Sequence, residues 1–430
     1  MRLPSRLTLL AACGAICLLP SLAPAQHQAG EHWIATWTAG QTFMPAPPRG
    51  GRGGRAGAPP QKGSGPPPRG PNVPASLSDQ TIRMVLHVTQ GGRRVRIELS
   101  NMWTAQPLEI GAAHIAMNKG GGAIIPGSDR PLTFSGSAST VIPPGVLAVS
   151  DPVNLDVAPF SDLAVSLYLP HDTGRPTSHV PGLHTSYISK GNVAGDEIMP
   201  DPATTTAYVW LSGVDVTGPA DAFSIVAYGD SITDGYATSI DGNHAWPTLL
   251  GKRLSAYKPA RHAAVVNEGI SGNQVLRDGA GVSALARLDR DVLSRPGVKW
   301  IILLEGINDI NNRGRRDPSD AVTGDELIAG YRQIIERCHM SGIKVMGATI
   351  MPEEGVPTAS ERGEGVRQAA NKWIREKGNF DAVVDFDAVV RDPQRPIKLR
   401  ADFDPGDHIH PNDVGNQAMA DAFDLAVFAK

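Results

Sequence analysis

The apolar residues of this chain keep one period up to about residue 218 and another after it. That switch limits the fold more than any single motif does. From Thr81 the period is two: Ile82, Met84, Leu86 and Val88 alternate with more polar neighbours, Gly91-Gly92 marks a turn, and Val95, Ile97 and Leu99 alternate on the return. The spacing predicts a β-hairpin. Strand-like runs follow at Leu108 to Met117, Thr140 to Ile142, Val153 to Val157, Leu163 to Leu169, Thr185 to Ser189 and Tyr208 to Val216, with Gly, Pro and Asp between them and no helical period. Together with an alternating stretch at His32 to Trp37, residues 30 to about 218 are expected to form an antiparallel β-sandwich of jelly-roll type.

Beyond Gly218-Pro219 strands and helices alternate. Phe223 to Tyr228, Val265-Val266, Trp300 to Leu304, Lys344 to Ile350 and Ala382 to Phe386 read as strands. Ala245 to Ala256, Leu285 to Leu293, Asp325 to Met340, Ala359 to Lys377 and Asn412 to Phe428 read as helices. Such alternation predicts a parallel, doubly wound α/β sheet of about five strands. In that fold the ligand site lies beyond the carboxyl ends of the strands.

At 430 residues the chain exceeds one core of ordinary size. Two domains are expected, at 26–218 and 219–430. Ahead of them, Arg2 and Arg6, the apolar stretch Leu7 to Leu22 and Ala23-Pro24-Ala25 read as an export signal cleaved near Ala25. Leu10-Ala11-Ala12-Cys13 leaves a second reading open, a lipid-anchored Cys13. Either way the expected location is the periplasm or outside the cell. No later stretch approaches the roughly 18 apolar residues of a membrane span. Residues 45–75 form a Gly/Pro/Arg-rich insertion expected to be disordered: Arg49, Arg52, Arg55, Lys62 and Arg69 carry its charge, and no acid falls between Pro45 and Pro71. The 40 basic and 43 acidic residues balance to a net charge of −3, which argues against nucleic acid as a partner. Once Cys13 and Cys17 leave with the signal, Cys338 has no partner for a disulfide and reads as a buried apolar residue of a helix.

Four short blocks carry the chemistry. Ser231, in Gly229-Asp230-Ser231, follows the first strand among unpaired amides that suit an anion. Gly272 follows the second strand, where a backbone N–H can approach a substrate with no side chain in the way. Asn308, in Gly306-Ile307-Asn308-Asp309, follows the third and can offer its amide NH2 to a developing oxyanion. Asp407 and His410, in Asp407-His408-Ile409-His410, stand three apart just before the last helix, close enough for the carboxylate to hold imidazole Nδ1–H. Pro411 is expected to open that helix. His408 competes for the role of base, although its side chain should point elsewhere. Each block alone reads more readily as a turn, a cap or an ordinary loop than as a site. Asp402, Asp404, Asp407, His408 and His410 also admit a metal site, but no H-E-x-x-H helix accompanies them and none is expected.

In this order and context the blocks resemble those of the SGNH (GDSL-type) hydrolase superfamily, over roughly residues 222–428. Ala245-Trp246-Pro247 with Leu249-Leu250 is similar to the helix that follows the nucleophile in many members. The first half, including Trp33 to Trp37, resembles a β-domain that precedes the catalytic domain in one bacterial branch. The resemblance implies a three-layer, flavodoxin-like fold, with Ser231 as nucleophile and Asp407 and His410 completing a triad. It also implies an oxyanion hole of Ser231, Gly272 and Asn308, and no cofactor. His408 departs from the small residue common at its position. The reaction implied is carboxylic-ester hydrolysis through an acyl-enzyme, and the missing G-x-S-x-G elbow disfavours an α/β-hydrolase. An acetylated or short-acyl carbohydrate is the expected substrate. A lipase or lysophospholipase, an arylesterase, and a non-catalytic glycan-binding protein are the alternatives.

Overall fold

The computed structural model describes residues 30–42, 73–314 and 317–429. The expected export signal and residues 45–72 of the expected insertion lie outside the described residues.

Five parallel strands form the sheet of the second half: Phe223–Gly229, Ala263–Gly269, Val298–Leu304, Lys344–Ala348 and Ala382–Val384. Their spatial order is second, first, third, fourth, fifth, and every pairing is parallel. This is the doubly wound order whose switch point lies at the first strand. Every residue of Phe223–Gly229 is buried, as expected of a central strand covered on both faces. Gly229 stands level with Gly269 and Leu304, so the first three strands end together.

Helices Trp246–Ala256 and Asp413–Asp421 pack as one pair, and Gly324–Met340 and Glu361–Arg375 as another. Trp246, Phe386 and Phe423 form an aromatic cluster beside the first pair, and Tyr331, Trp373 and Phe380 one beside the second. Helix Gly324–Met340 starts with a capping box between Thr323 and Glu326 and buries Leu327, Tyr331, Ile334, Ile335 and Cys338 along one face. Burial pushes the Cys338 thiol up to about 12, which keeps it inert.

Two larger antiparallel sheets, with two two-stranded ones beside them, make up the described first half, and the larger pair share one apolar core. Trp33–Thr38, Leu211–Thr217, Gly92–Ser100 and Val153–Val157 run through one sheet; Gln80–His87 and Asp162–Leu169 lie at the centre of the other. Ile82, Met84, Leu86, Val95, Ile97 and Leu99 all belong to that core.

The expected hairpin is not there. Gln80–His87 pairs with Asp162–Leu169 and Ser186–Lys190, while Gly92–Ser100 pairs with Leu211–Thr217 and Val153–Val157. Two alternating rows can meet face to face as well as edge to edge. Residues 88–91 span up to about 13 Å, enough to cross the roughly 10 Å between stacked sheets. Other boundaries also move. Leu108 to Met117 splits at Gly111, and Tyr208 to Val216 breaks at Trp210, whose φ is 56°. Helix Ala284–Leu288 continues as a π-turn, Asp289–Leu293. The last helix begins at Asp413, capped by the Asn412 side chain rather than opened by Pro411, and ends at Asp421.

The antiparallel region also covers the exposed edge of the parallel sheet. Thr89 Oγ1 donates to Val265 O at 2.9 Å and accepts from Val265 N–H at 3.0 Å, satisfying the free edge of the second parallel strand. Ala35 and Ser224 exchange contacts alongside, and Arg295 forms buried ion pairs with Glu98 of the antiparallel region and with Glu268 at 2.9 Å.

Candidate active site

Ser231 opens a single helical turn, Ser231–Asp234, directly after the first parallel strand. Asp230 caps it by accepting from Ile232 N–H at 2.9 Å, and Gly235 closes it in the left-handed conformation. The sheet order then decides what stands on either side. The second strand leads into the loop with Gly272, the third into helix Ile307–Asn312 with Asn308, and the Ser231 turn lies between them at one sheet edge.

Gly272 has φ 81°, where a side chain would be strained, and an added Cβ would lie 3.1 Å from Ala280. Gly306 caps the Asn308 helix at φ 124°, with Tyr331 Oη 2.6 Å from where a Cβ would be. The Asn308 side-chain NH2 is buried and meets no acceptor among the described residues.

The fourth block supplies an unbroken hydrogen-bond chain. Asp407 Oδ2 lies 2.8 Å from His410 Nδ1, and His410 Nε2 lies 2.8 Å from Ser231 Oγ. A carboxylate can only accept, so the ring proton sits on Nδ1 and Nε2 is free to receive the serine O–H. Asp407 Oδ1 accepts from Ile409 N–H at 3.1 Å and His410 N–H at 3.0 Å. Burial raises the Asp407 carboxyl, but His410 and those two amides outweigh it and hold Asp407 below the usual range. Tyr236 packs its ring 4.6 Å from the His410 ring and limits its movement.

His408 does turn away from the triad. It takes φ 68° and pairs Nδ1 with Asp404 Oδ2 at 2.6 Å, and its ring rests against Gly355. The acids of this segment therefore have separate partners, Asp402 with Arg400, Asp404 with His408 and Asp407 with His410. Among the described residues no three His, Cys, Asp or Glu are grouped to hold a metal ion. Gly355 also lines a cavity of about 430 Å³ with Glu353, Glu354, Val356, Glu361 and Ile397.

Several residues that shape the site were not anticipated from the sequence. Asp309 accepts from Val275 N–H at 2.8 Å and Leu276 N–H at 3.1 Å, tying the third block to the loop that carries the second. Burial outweighs those bonds and pushes its carboxyl up to about 6. Asp230 is pushed up to about 7, mainly by burial and further by Asp309 and Asp234, against the pull of Ile232 N–H and His410. Arg287 lies fully buried below Ser231 and donates to Gly229 O at 3.0 Å and Glu268 O at 2.7 Å, the carbonyls where two parallel strands end. A signal for it existed: an arginine within the apolar face of Leu285, Leu288 and Val292 must find buried partners.

Residues 227–418 match the GDSL-like lipase/acylhydrolase family. The chain carries a GDSL-like acylhydrolase domain. The reaction class of that family is carboxylic-ester hydrolysis, and all four blocks of the site fall within the matched residues. Among solved structures, an acetyl xylan esterase from Geobacillus stearothermophilus is 26% identical, with 48% of this chain and 96% of that one covered and a TM-score of 0.37. The aryl esterase of M. smegmatis is 18% identical, covering 47% and 96%, at a TM-score of 0.37. A GDSL-like lipase from Bacteroides thetaiotaomicron is 18% identical, covering 47% and 87%, at a TM-score of 0.35. No curated protein matches the chain. Among the described residues, no helix of the GDSL-like domain or of the antiparallel region is long and apolar enough to cross a membrane.

Proposed function

We propose that the protein is an exported serine esterase that removes short acyl groups, O-acetyl foremost, from carbohydrate. The observation that carries the serine mechanism is the chain Ser231 Oγ, His410 Nε2, His410 Nδ1, Asp407 Oδ2, with both links at 2.8 Å. His410 takes the Ser231 proton as Oγ bonds to the ester carbonyl carbon, and Asp407 stabilises the imidazolium. The amides of Ser231 and Gly272 and the Asn308 NH2 receive the oxyanion. The tetrahedral intermediate collapses with the C–O bond to the alcohol breaking, and His410 returns the proton to the departing oxygen. Water, deprotonated by the same imidazole, then releases the acid and restores Ser231.

The carbohydrate reading is supported by the leader-like residues 1–25 and by the antiparallel β region that precedes the GDSL-like domain. Export rests on the leader-like residues 1–25. We take 26–218 as a β-sandwich unit of jelly-roll type and 219–430 as the catalytic unit, joined at Gly218-Pro219.

Purified protein should hydrolyse p-nitrophenyl acetate faster than the octanoate and release acetate from acetylated xylan. A fluorophosphonate should label Ser231, and Ser231→Ala should abolish both turnover and labelling. Full activity in Ser231→Ala would refute the serine mechanism, and a preference for octanoate would refute the carbohydrate reading.

A further inference from the structure

The antiparallel region reaches the nucleophile turn through one side chain. His179 is 5% exposed and lies between two oxygens: Nδ1 is 2.7 Å from Gly40 O, and Nε2 is 3.1 Å from Asp234 Oδ1. A carbonyl oxygen has no proton to give. Asp234 already receives Ser271 Oγ–H on its other carboxylate oxygen at 2.8 Å. With Asp234 ionised, both ring nitrogens of His179 donate, and the ring is an imidazolium paired with the Asp234 carboxylate. Burial opposes that charge. Asp234, Gly40 O and the nearby Glu268 favour it and prevail, raising His179 above the ordinary histidine value. The Tyr208 ring stacks alongside at 6.3 Å.

Asp234 is well placed to transmit this contact. It is the last residue of the Ser231 turn, 2% exposed, and its N–H donates to Asp230 O at 2.9 Å. Ser271, bonded to its carboxylate, directly precedes Gly272. One carboxylate thus joins the turn that carries the nucleophile to the loop assigned the second oxyanion donor. His179 comes from a sheet outside the GDSL-like domain and fixes that carboxylate from behind.

We propose that His179 is a positioning residue of the reaction, which holds Asp234 and through it sets the spacing between Ser231 and Gly272. The inference rests on the serine-esterase reading above. It makes the antiparallel region part of the catalytic apparatus and not only a cover for the sheet edge.

The test uses full-length protein, p-nitrophenyl acetate as substrate and fluorophosphonate labelling to count competent sites. Misplacing reacting groups by about an ångström costs up to about 100-fold in rate. His179→Ala should therefore lower kcat per labelled site by about 10- to 100-fold with KM within about twofold. Ser271→Ala should lower it by about 3- to 10-fold. Because both act through Asp234, the double variant should be no slower than His179→Ala alone. His179→Gln keeps one donor toward Asp234 and should recover part of the rate. A purely structural role would lower the unfolding temperature, leave kcat per labelled site unchanged and give additive losses, and that result would overturn the proposal. If His179→Ala fails to accumulate, His179→Gln and Ser271→Ala decide: parental kcat per site in both overturns it. Failure of the parent to label at Ser231 would instead refute the esterase reading on which the proposal stands.

Discussion

Asp407→Asn perturbs the hydrogen-bond chain while leaving its shape intact, and the geometry says how much should be lost. An asparagine at 407 can turn its carbonyl oxygen either toward the Ile409 and His410 amides or toward the His410 ring. The first choice keeps two hydrogen bonds, at 3.1 and 3.0 Å, and the second keeps one. At about 1 kcal/mol each, the first wins by about 1 kcal/mol. The side-chain NH2 then faces Nδ1, which must become the acceptor. The ring proton moves to Nε2, and the nitrogen that should receive the Ser231 proton carries one already. The variant also loses the negative charge that stabilises the imidazolium. Two charges about 4 Å apart interact by about 4 kcal/mol at an effective dielectric of 20. With the Asp407 side chain 39% exposed, roughly half of that should survive solvent screening. Together these terms come to about 3 kcal/mol, and at 1.36 kcal/mol per decade kcat should fall by about 100- to 1,000-fold. The assay is turnover of p-nitrophenyl acetate per folded molecule, with circular dichroism to verify the fold. A fall smaller than about tenfold would show that Asp407 does not set the ring tautomer.

The other expectations concern separate parts of the site. Asn308→Ala should reduce kcat by about 100- to 1,000-fold with little change in KM, as removal of one oxyanion donor does; an effect confined to KM would remove Asn308 from that role. Arg287→Met should cost about 3–5 kcal/mol in urea unfolding, because it removes the cation beside buried Glu305 and strips a donor from Glu268 O, while Asp291 keeps Arg290; a loss below about 1 kcal/mol would mean those groups find other partners. His179 has a raised folded value, so its stabilisation is complete below the ordinary histidine value and is lost as pH rises through the raised one. The difference in unfolding temperature between the parent and His179→Gln should therefore shrink on going from about pH 5 to about pH 9, and a difference that grows would contradict the charged assignment.

Much of the α/β half was legible because its signals are local. A buried parallel strand reads as an apolar run, a helix as a period of 3.6, and both survive without knowledge of partners. The sheet order then follows from few admissible connections, and it brings Ser231, Gly272 and Asn308 to one edge. Asp407 and His410 were legible for the same reason, since they stand three positions apart. The antiparallel half was harder. Ile82, Met84 and Leu86 announce a strand with one buried face, but not whether Val95, Ile97 and Leu99 lie beside them or across the core. Period two is identical in both cases, and only the pairing of Gly92–Ser100 with Leu211–Thr217, more than 100 residues away, decides it.

The same limit explains why the supports of the candidate site escaped notice while its proposed reacting groups did not. Ser231, His410 and Asp407 belong to short blocks, whereas Arg287 reaches Gly229 across 58 positions and His179 reaches Asp234 across 55. The apolar neighbours of Arg287 signal that it is buried, but nothing local signals the partner of either residue. What makes them necessary is burial. Where the first two parallel strands end level, Arg287 donates to their buried carbonyls, and closing the Ser231 turn buries a carboxylate that needs a counter-charge, which His179 supplies. The first of these demands is met from within the GDSL-like domain and the second from outside it. A chain cut at Gly218 would therefore retain Ser231, Asp407 and His410 and lose the side chain that pairs with Asp234.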